Sequence, residues 1–111
     1  MQKQYDQNNI FAKIIKKEIP CKSVYEDEKV LAFYDINPQA PIHILVIPKG
    51  EYISFDDFVI KASEEDVVYF FKKVREIAKA QGLSEVGYRI IANHGEKVGQ
   101  VVFHFHLHIL S

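Results

Sequence analysis

Five apolar residues near the start of the chain, Ile10, Phe11, Ile14, Ile15 and Ile19, recur at the spacing of one helical face; Asn8 or Asn9 can cap the run and Pro20 cannot extend it. A short first helix is expected. Two extended segments, 23–26 and 30–36, flank the charged turn Asp27-Glu28-Lys29, the pattern of a hairpin. A third strand is predicted at 42–47 between Pro41 and Pro48, since proline is tolerated where a strand needs no ladder donor. The longest helical stripe is Val67, Phe70, Phe71, Val74, Ile77 and Ala78. It opens on Ser63-Glu64-Glu65-Asp66, a capping sequence with an acidic first turn, carries Lys79 near its end and stops at Gly82, as the helix dipole favours. Strands at 88–93 and 101–110 complete the set.

In the last segment Phe103, Phe105, Leu107 and Ile109 alternate with His104, His106 and His108, so a strand puts the apolar set on one face and three imidazoles on the other. Neighbouring imidazoles are then roughly 7 Å apart at the backbone, close enough for one phosphate to meet more than one ring. A purification tag is a contiguous run and does not interleave with core positions. Three readings of the trio stay open on these residues alone: a purely structural set, a zinc site that His43 could join, or a phosphate site. No Asp or Glu within the strand is available to orient the rings around a metal.

Composition narrows the setting. A chain of 111 residues with 48% hydrophobic content suits one domain with one core, without repeats or low-complexity linkers. No run of roughly 18 apolar residues predicts a membrane span, and the polar start is unlike a secretory leader. Cys21 is the single cysteine, so no internal disulfide and no Cys-x-x-Cys metal site can form, and a reducing cytoplasm is the expected location. With a formal net charge of −1 there is no general basic field to hold a nucleic acid, so a phosphate-bearing ligand must be held by local groups.

The run His104-Phe105-His106-Leu107-His108-Ile109-Leu110 resembles the His-φ-His-φ-His-φ-φ signature of the histidine triad superfamily. Residues 9–20 and 31–43 are similar to its nucleotide-binding branch, as are Asn93, Gly95, Gly99 and Gln100, so the likeness extends from Asn9 to Leu110 in matching order. The resemblance implies an α+β fold: a five-stranded antiparallel sheet with two helices, paired into a ten-stranded sheet in a homodimer. A polar arm at 1–8 would precede a domain at 9–111.

The same resemblance implies a purine nucleotide substrate, hydrolysed at a P–N or P–O bond without a required cofactor. His106 would be the nucleophile that becomes nucleotidylated. It gives His108 to the phosphate and leaving group, His104 to orienting its neighbour through a backbone carbonyl, and His43 to closing the network. Asp35 matches the family's ribose ligand, although an Asp before Asn37-Pro38 also suits a turn. Phe11, Ile14, Phe33 and Ile36 would form the base slot, with Asn93, Gly99, Gln100 and Val101 on the phosphate side.

Three close rings should titrate as a coupled set, giving activity a pH dependence near neutrality. Val101 stands where well-known members carry Ser, so a hydroxyl that helps a departing amine is missing. His94 has no assigned role, and Ser111 directly after the triad leaves substrate preference open. Two alternatives accompany the phosphoramidase reading: a nucleotide-binding adaptor, and a dinucleoside polyphosphate hydrolase.

Overall fold

The computed structural model describes residues 4–111; the first three residues of the expected arm lie outside that range. The first helix, α1, spans Ile10–Ile15, and Asn9 caps it by accepting the Ala12 N–H at 2.9 Å. It stops well short of Pro20. Lys17 adopts a left-handed φ of 66°, its N–H donates to the Ile14 carbonyl and the Glu18 N–H to that of Lys13, a nested pair of bonds that closes the helix.

Strand β1 (Ser23–Glu26) forms the expected hairpin with β2 (Val30–Tyr34), and β3 (His43–Pro48) pairs with β2 on its other side. Asp27 makes the turn by accepting the N–H groups of Lys29 and Val30. Two helices follow, α2 (Phe55–Lys61) and α3 (Glu64–Ala80). Ser54 and Ser63 cap them by accepting the N–H of Asp57 and Asp66 respectively. Only the longer of the two was foreseen, yet Ser54-x-x-Asp57 carries the same capping signal as Ser63-x-x-Asp66. A single turn, α4 (Leu83–Val86), starts after Gly82, whose φ of 78° ends α3. β4 (Arg89–Ile91) and β5 (Leu107–Leu110) complete a sheet of five antiparallel strands in the order β1-β2-β3-β5-β4.

Because β3 is central, all six of its residues are buried and each face of the sheet has its own core. Val30, Ala32, Ile44, Val46, Leu107 and Ile109 pack against Phe70, Val74 and Ile77 of α3. The opposite positions, Leu31, Phe33, Leu45 and Ile47, meet Phe11 and Ile14 of α1. Six residues of helix cover less sheet than seventeen, and this second face stays open at one end.

The fifth strand is shorter than its alternation suggested, with residues 101–106 outside any ladder. The reason lies at Pro48. Its nitrogen carries no hydrogen, its carbonyl meets the His104 imidazole at 2.7 Å, and the Phe105 N–H turns to the carbonyl of Tyr52 at 2.7 Å. The face assignment survives: Phe105 joins the α3 core, while His104 and His106 lie against Phe11 of α1. No helix among the described residues is long and apolar enough to cross a membrane.

Candidate active site

Between α1 and the sheet lies a cavity of about 360 Å³ with His106 and His108 in its wall. The expected base-slot residues Phe11, Ile14, Phe33 and Ile36 line it, as do Asp35, Asn93, Gly99 and Val101. Ile10, Ile19, Pro20, Cys21, Tyr34, Leu45 and Val102 also line it, and the sequence reading missed all of them. Leu45 could have been found from face parity, since it pairs opposite Phe33 and shares its face, whereas Tyr34 at the end of β2 has the opposite parity and could not. Burial pushes the Cys21 thiol up, so this wall residue is a weaker nucleophile than a free cysteine.

Three expected residues do not line this cavity, although two of them hold the ones that do: His43 bonds His108, and the His104 carbonyl accepts from His106. The His104 side chain is fully buried rather than displayed beside its neighbours. Burial takes the Gln100 side chain off the phosphate side: its amide donates to the carbonyls of Ile53 at 2.7 Å and Val102 at 3.1 Å, and its oxygen accepts the Gly95 N–H. It staples the loop and does not line the cavity. His43 borders an adjoining cleft that shares Asp35 and Ile36 with the cavity. Gly99 adopts a φ of 104°, which favours glycine, and a side chain there would meet no protein atom nearer than 3.8 Å, the Asn93 amide nitrogen.

Strand register brings the remaining imidazoles together. His108 pairs opposite Leu45, and His43 is two residues along the same strand, so the two rings are diagonal neighbours on one face. Hydrogen bonds then assign every proton. The Gln39 N–H donates to His43 Nδ1 at 3.0 Å, which places the His43 proton on Nε2, and that nitrogen lies 2.8 Å from His108 Nδ1. Neutral His108 therefore carries its own proton on Nε2. His106 Nδ1 donates to the His104 carbonyl at 2.7 Å, leaving its Nε2 as a lone pair. One ring of the cavity wall is a base and the next is a donor, with centroids 5.3 Å apart.

Burial favours the neutral form of His104, His106 and His108. Burial pushes His104 down to about 4, and burial with the neighbouring His106 and His43 does the same for His108. His106 is also lowered by burial, although the His104 carbonyl and Asp35 oppose the shift. Titration thus moves below neutrality, not to it, as the coupled-ring argument had suggested. Desolvation outweighs mutual repulsion here because the rings are enclosed before they are charged.

Asp35 combines both readings made of it. Its Oδ1 accepts the Asn37 N–H at 2.8 Å, a turn contact, while Oδ2 lies 3.5 Å from His43 Nε2. A carboxylate thus reaches the histidines from the end of β2, where the strand itself offered none. Donor atoms of Asp35, His43 and His108 lie within 4.8 Å of one another, a spacing that could hold a metal ion. A cation between the two rings competes with the proton they share. His94 lies by the first turn of α2, its Nδ1 3.4 Å from the Asp56 N–H, and is not a cavity residue.

With this arrangement in view, known proteins supply a match. The HIT domain profile matches residues 16–111. The chain is 55% identical to an uncharacterized HIT-like protein of Rickettsia prowazekii over 96% of its own length and 89% of the relative's. It is 49% identical to the 14 kDa zinc-binding protein of Zea mays, over 96% and 83% of the two chains. The solved HIT family hydrolase of Legionella pneumophila superposes with a TM-score of 0.87 at 43% identity, covering 94% of this chain and 92% of that one. The chain belongs to the HIT family.

Proposed function

We propose that this protein is a nucleotide-binding hydrolase that cleaves the P–N or P–O bond of purine nucleoside 5′-monophosphate derivatives, adenosine phosphoramidates among them. The observation that carries this reading is the proton pattern at the cavity: an Nε2 lone pair on His106 beside an Nε2 donor on His108. His106 attacks phosphorus, the P–N bond breaks, and the amine leaves with a proton from solvent. The ring, now bonded to phosphorus at Nε2 and still protonated at Nδ1, is cationic, and the His104 carbonyl stabilises that charge. His108 donates to a phosphoryl oxygen through attack and departure. Water then displaces the ring, returning a proton to solvent and releasing the nucleoside monophosphate. The apolar slot of Phe11, Ile14 and Phe33 takes the base, and Asp35 takes the ribose hydroxyls.

A second reading, a zinc site at Asp35, His43 and His108, is favoured by their donor spacing and by the name of the maize relative. One experiment separates the two. With a fluorogenic adenosine phosphoramidate, the unmodified chain is expected to turn over equally with and without a chelator. His106→Asn is expected to lose at least about a thousandfold while still binding AMP. Loss of turnover on chelation passes the site to zinc, and an undiminished His106→Asn rate overturns the nucleophile.

We also propose a homodimer, built on the open edge of β4 and the outer side of α3. Ile90 of β4 and Val68 of α3 are exposed, as is Val86 at the end of the α4 turn that joins them. Light scattering at twice the monomer mass is the expected result.

A further inference from the structure

The histidine network continues past the catalytic pair, into the arm that precedes α1. His104 Nε2 meets the Pro48 carbonyl at 2.7 Å, so its proton is on Nε2 and its Nδ1 must accept. The Tyr5 hydroxyl lies 2.6 Å from that Nδ1, with the two rings edge to face at 5.6 Å. A residue 99 positions away thus supplies the last donor the ring requires.

Why this contact matters follows from the missing ladder. Residues 101–106 are not paired in the sheet, so strand hydrogen bonds do not hold the His104 carbonyl in place. The peptide that carries this carbonyl has one other anchor, the Phe105 N–H bond to the Tyr52 carbonyl, and residue 104 is fixed further by its side chain, clamped between Pro48 on β3 and Tyr5 on the arm. The same carbonyl accepts the His106 Nδ1 proton and thereby sets which nitrogen faces the cavity.

We propose that Tyr5 is a positioning residue of this site, acting through His104 to keep His106 in the tautomer whose Nε2 is a lone pair. The inference rests on His106 being the nucleophile proposed above. Burial favours the neutral phenol and pushes His104 down to about 4, so the Tyr5 hydroxyl keeps its proton and the ring keeps its accepting nitrogen.

The test is Tyr5→Phe in the full chain, with steady-state kinetics on an adenosine phosphoramidate and nitrogen-15 spectra of the imidazoles. The variant is expected to lose about tenfold in kcat with KM within about twofold, a loss of orientation without a loss of binding. In its spectra His106 is expected to change from one tautomer to a mixture. An unchanged kcat with an unchanged His106 tautomer overturns the proposal, as does a rise in KM alone. The unmodified chain gives an independent reading should the variant not fold: His104 must show a protonated Nε2 and a hydrogen-bonded, unprotonated Nδ1. The opposite tautomer there sinks the idea. If the unmodified chain has no phosphoramidase activity, the substrate reading fails while the spectra still decide the role of Tyr5.

Discussion

Asp27 and His108 both have protonation equilibria far from their ordinary values, and they lie on opposite faces of one sheet with opposite consequences. Burial alone would raise Asp27. Hydrogen bonds from Tyr69, Tyr25 and the backbone of Lys29 and Val30 more than offset it and hold the carboxyl at about 2. Those four donors meet both oxygens, and the side chain turns the hairpin and ties it to α3. His108 is displaced downward by burial, and its accepting nitrogen is also satisfied, but its donating nitrogen belongs to a ring in a cavity wall. A displaced pKa marks a reactive site only where a valence is left over and faces open space.

The sharpest way to break this contrast is to remove one member from each side. His106→Asn is expected to abolish turnover while the melting temperature moves by only a few degrees. Asp27→Ala should do the reverse, costing about 2 kcal/mol and lowering the melting temperature by about 10 °C, with kcat at 25 °C retained. Calorimetry beside a fluorogenic assay reads both; a catalytic defect in Asp27→Ala would show that the two faces are coupled.

Acid should separate the clusters next. The folded-state value of His104, about 4, lies below the ordinary 6.5, so its contribution to stability is full above 6.5 and is lost as pH falls toward 4, about 3 kcal/mol in all. Asp27 is likewise displaced downward, from 3.8 to about 2, so its contribution is lost only between those values. Melting temperature against pH is expected to fall in two limbs, and Asp27→Asn should erase the lower one alone. The kcat/KM profile should stay flat through neutrality and decline only below the ordinary imidazole range, since His106 is also lowered.

Asp35→Ala tests the open side more gently. Preference for ribonucleotides over their deoxyribose analogues in equilibrium binding is expected to drop about tenfold; a retained preference removes Asp35 from the ribose site. Val101→Ser is the smallest change. Its side chain is 82% exposed at the cavity rim, so stability should not move, while release of an amine leaving group gains a few-fold in single-turnover assays.

Much of the scaffold was legible along the chain because it depends on local periodicity. A cap at Asn8 or Asn9, the hairpin of 23–26 with 30–36, whose second strand ends at Tyr34, the helix from Ser63 to Gly82 and the division of residues 103–109 into an apolar and an imidazole side all follow from local sequence signals. The end of α1 was misplaced because a left-handed Lys17 leaves no mark that Pro20 does not obscure. Gln100 was misread because a polar residue in a loop looks the same whether it faces a ligand or staples its own backbone.

The sequence by itself determined that three imidazoles would share a side and that one apolar slot would accompany them, since side-chain alternation is a property of the backbone. Only the tertiary structure decided what each imidazole is. Whether a ring presents a lone pair or a proton depends on the group at its other nitrogen. Those groups are Gln39 for His43, His43 for His108, a neighbouring carbonyl for His106, and Pro48 with Tyr5 for His104. Most come from other strands or from the arm, and no periodicity along the last segment encodes them.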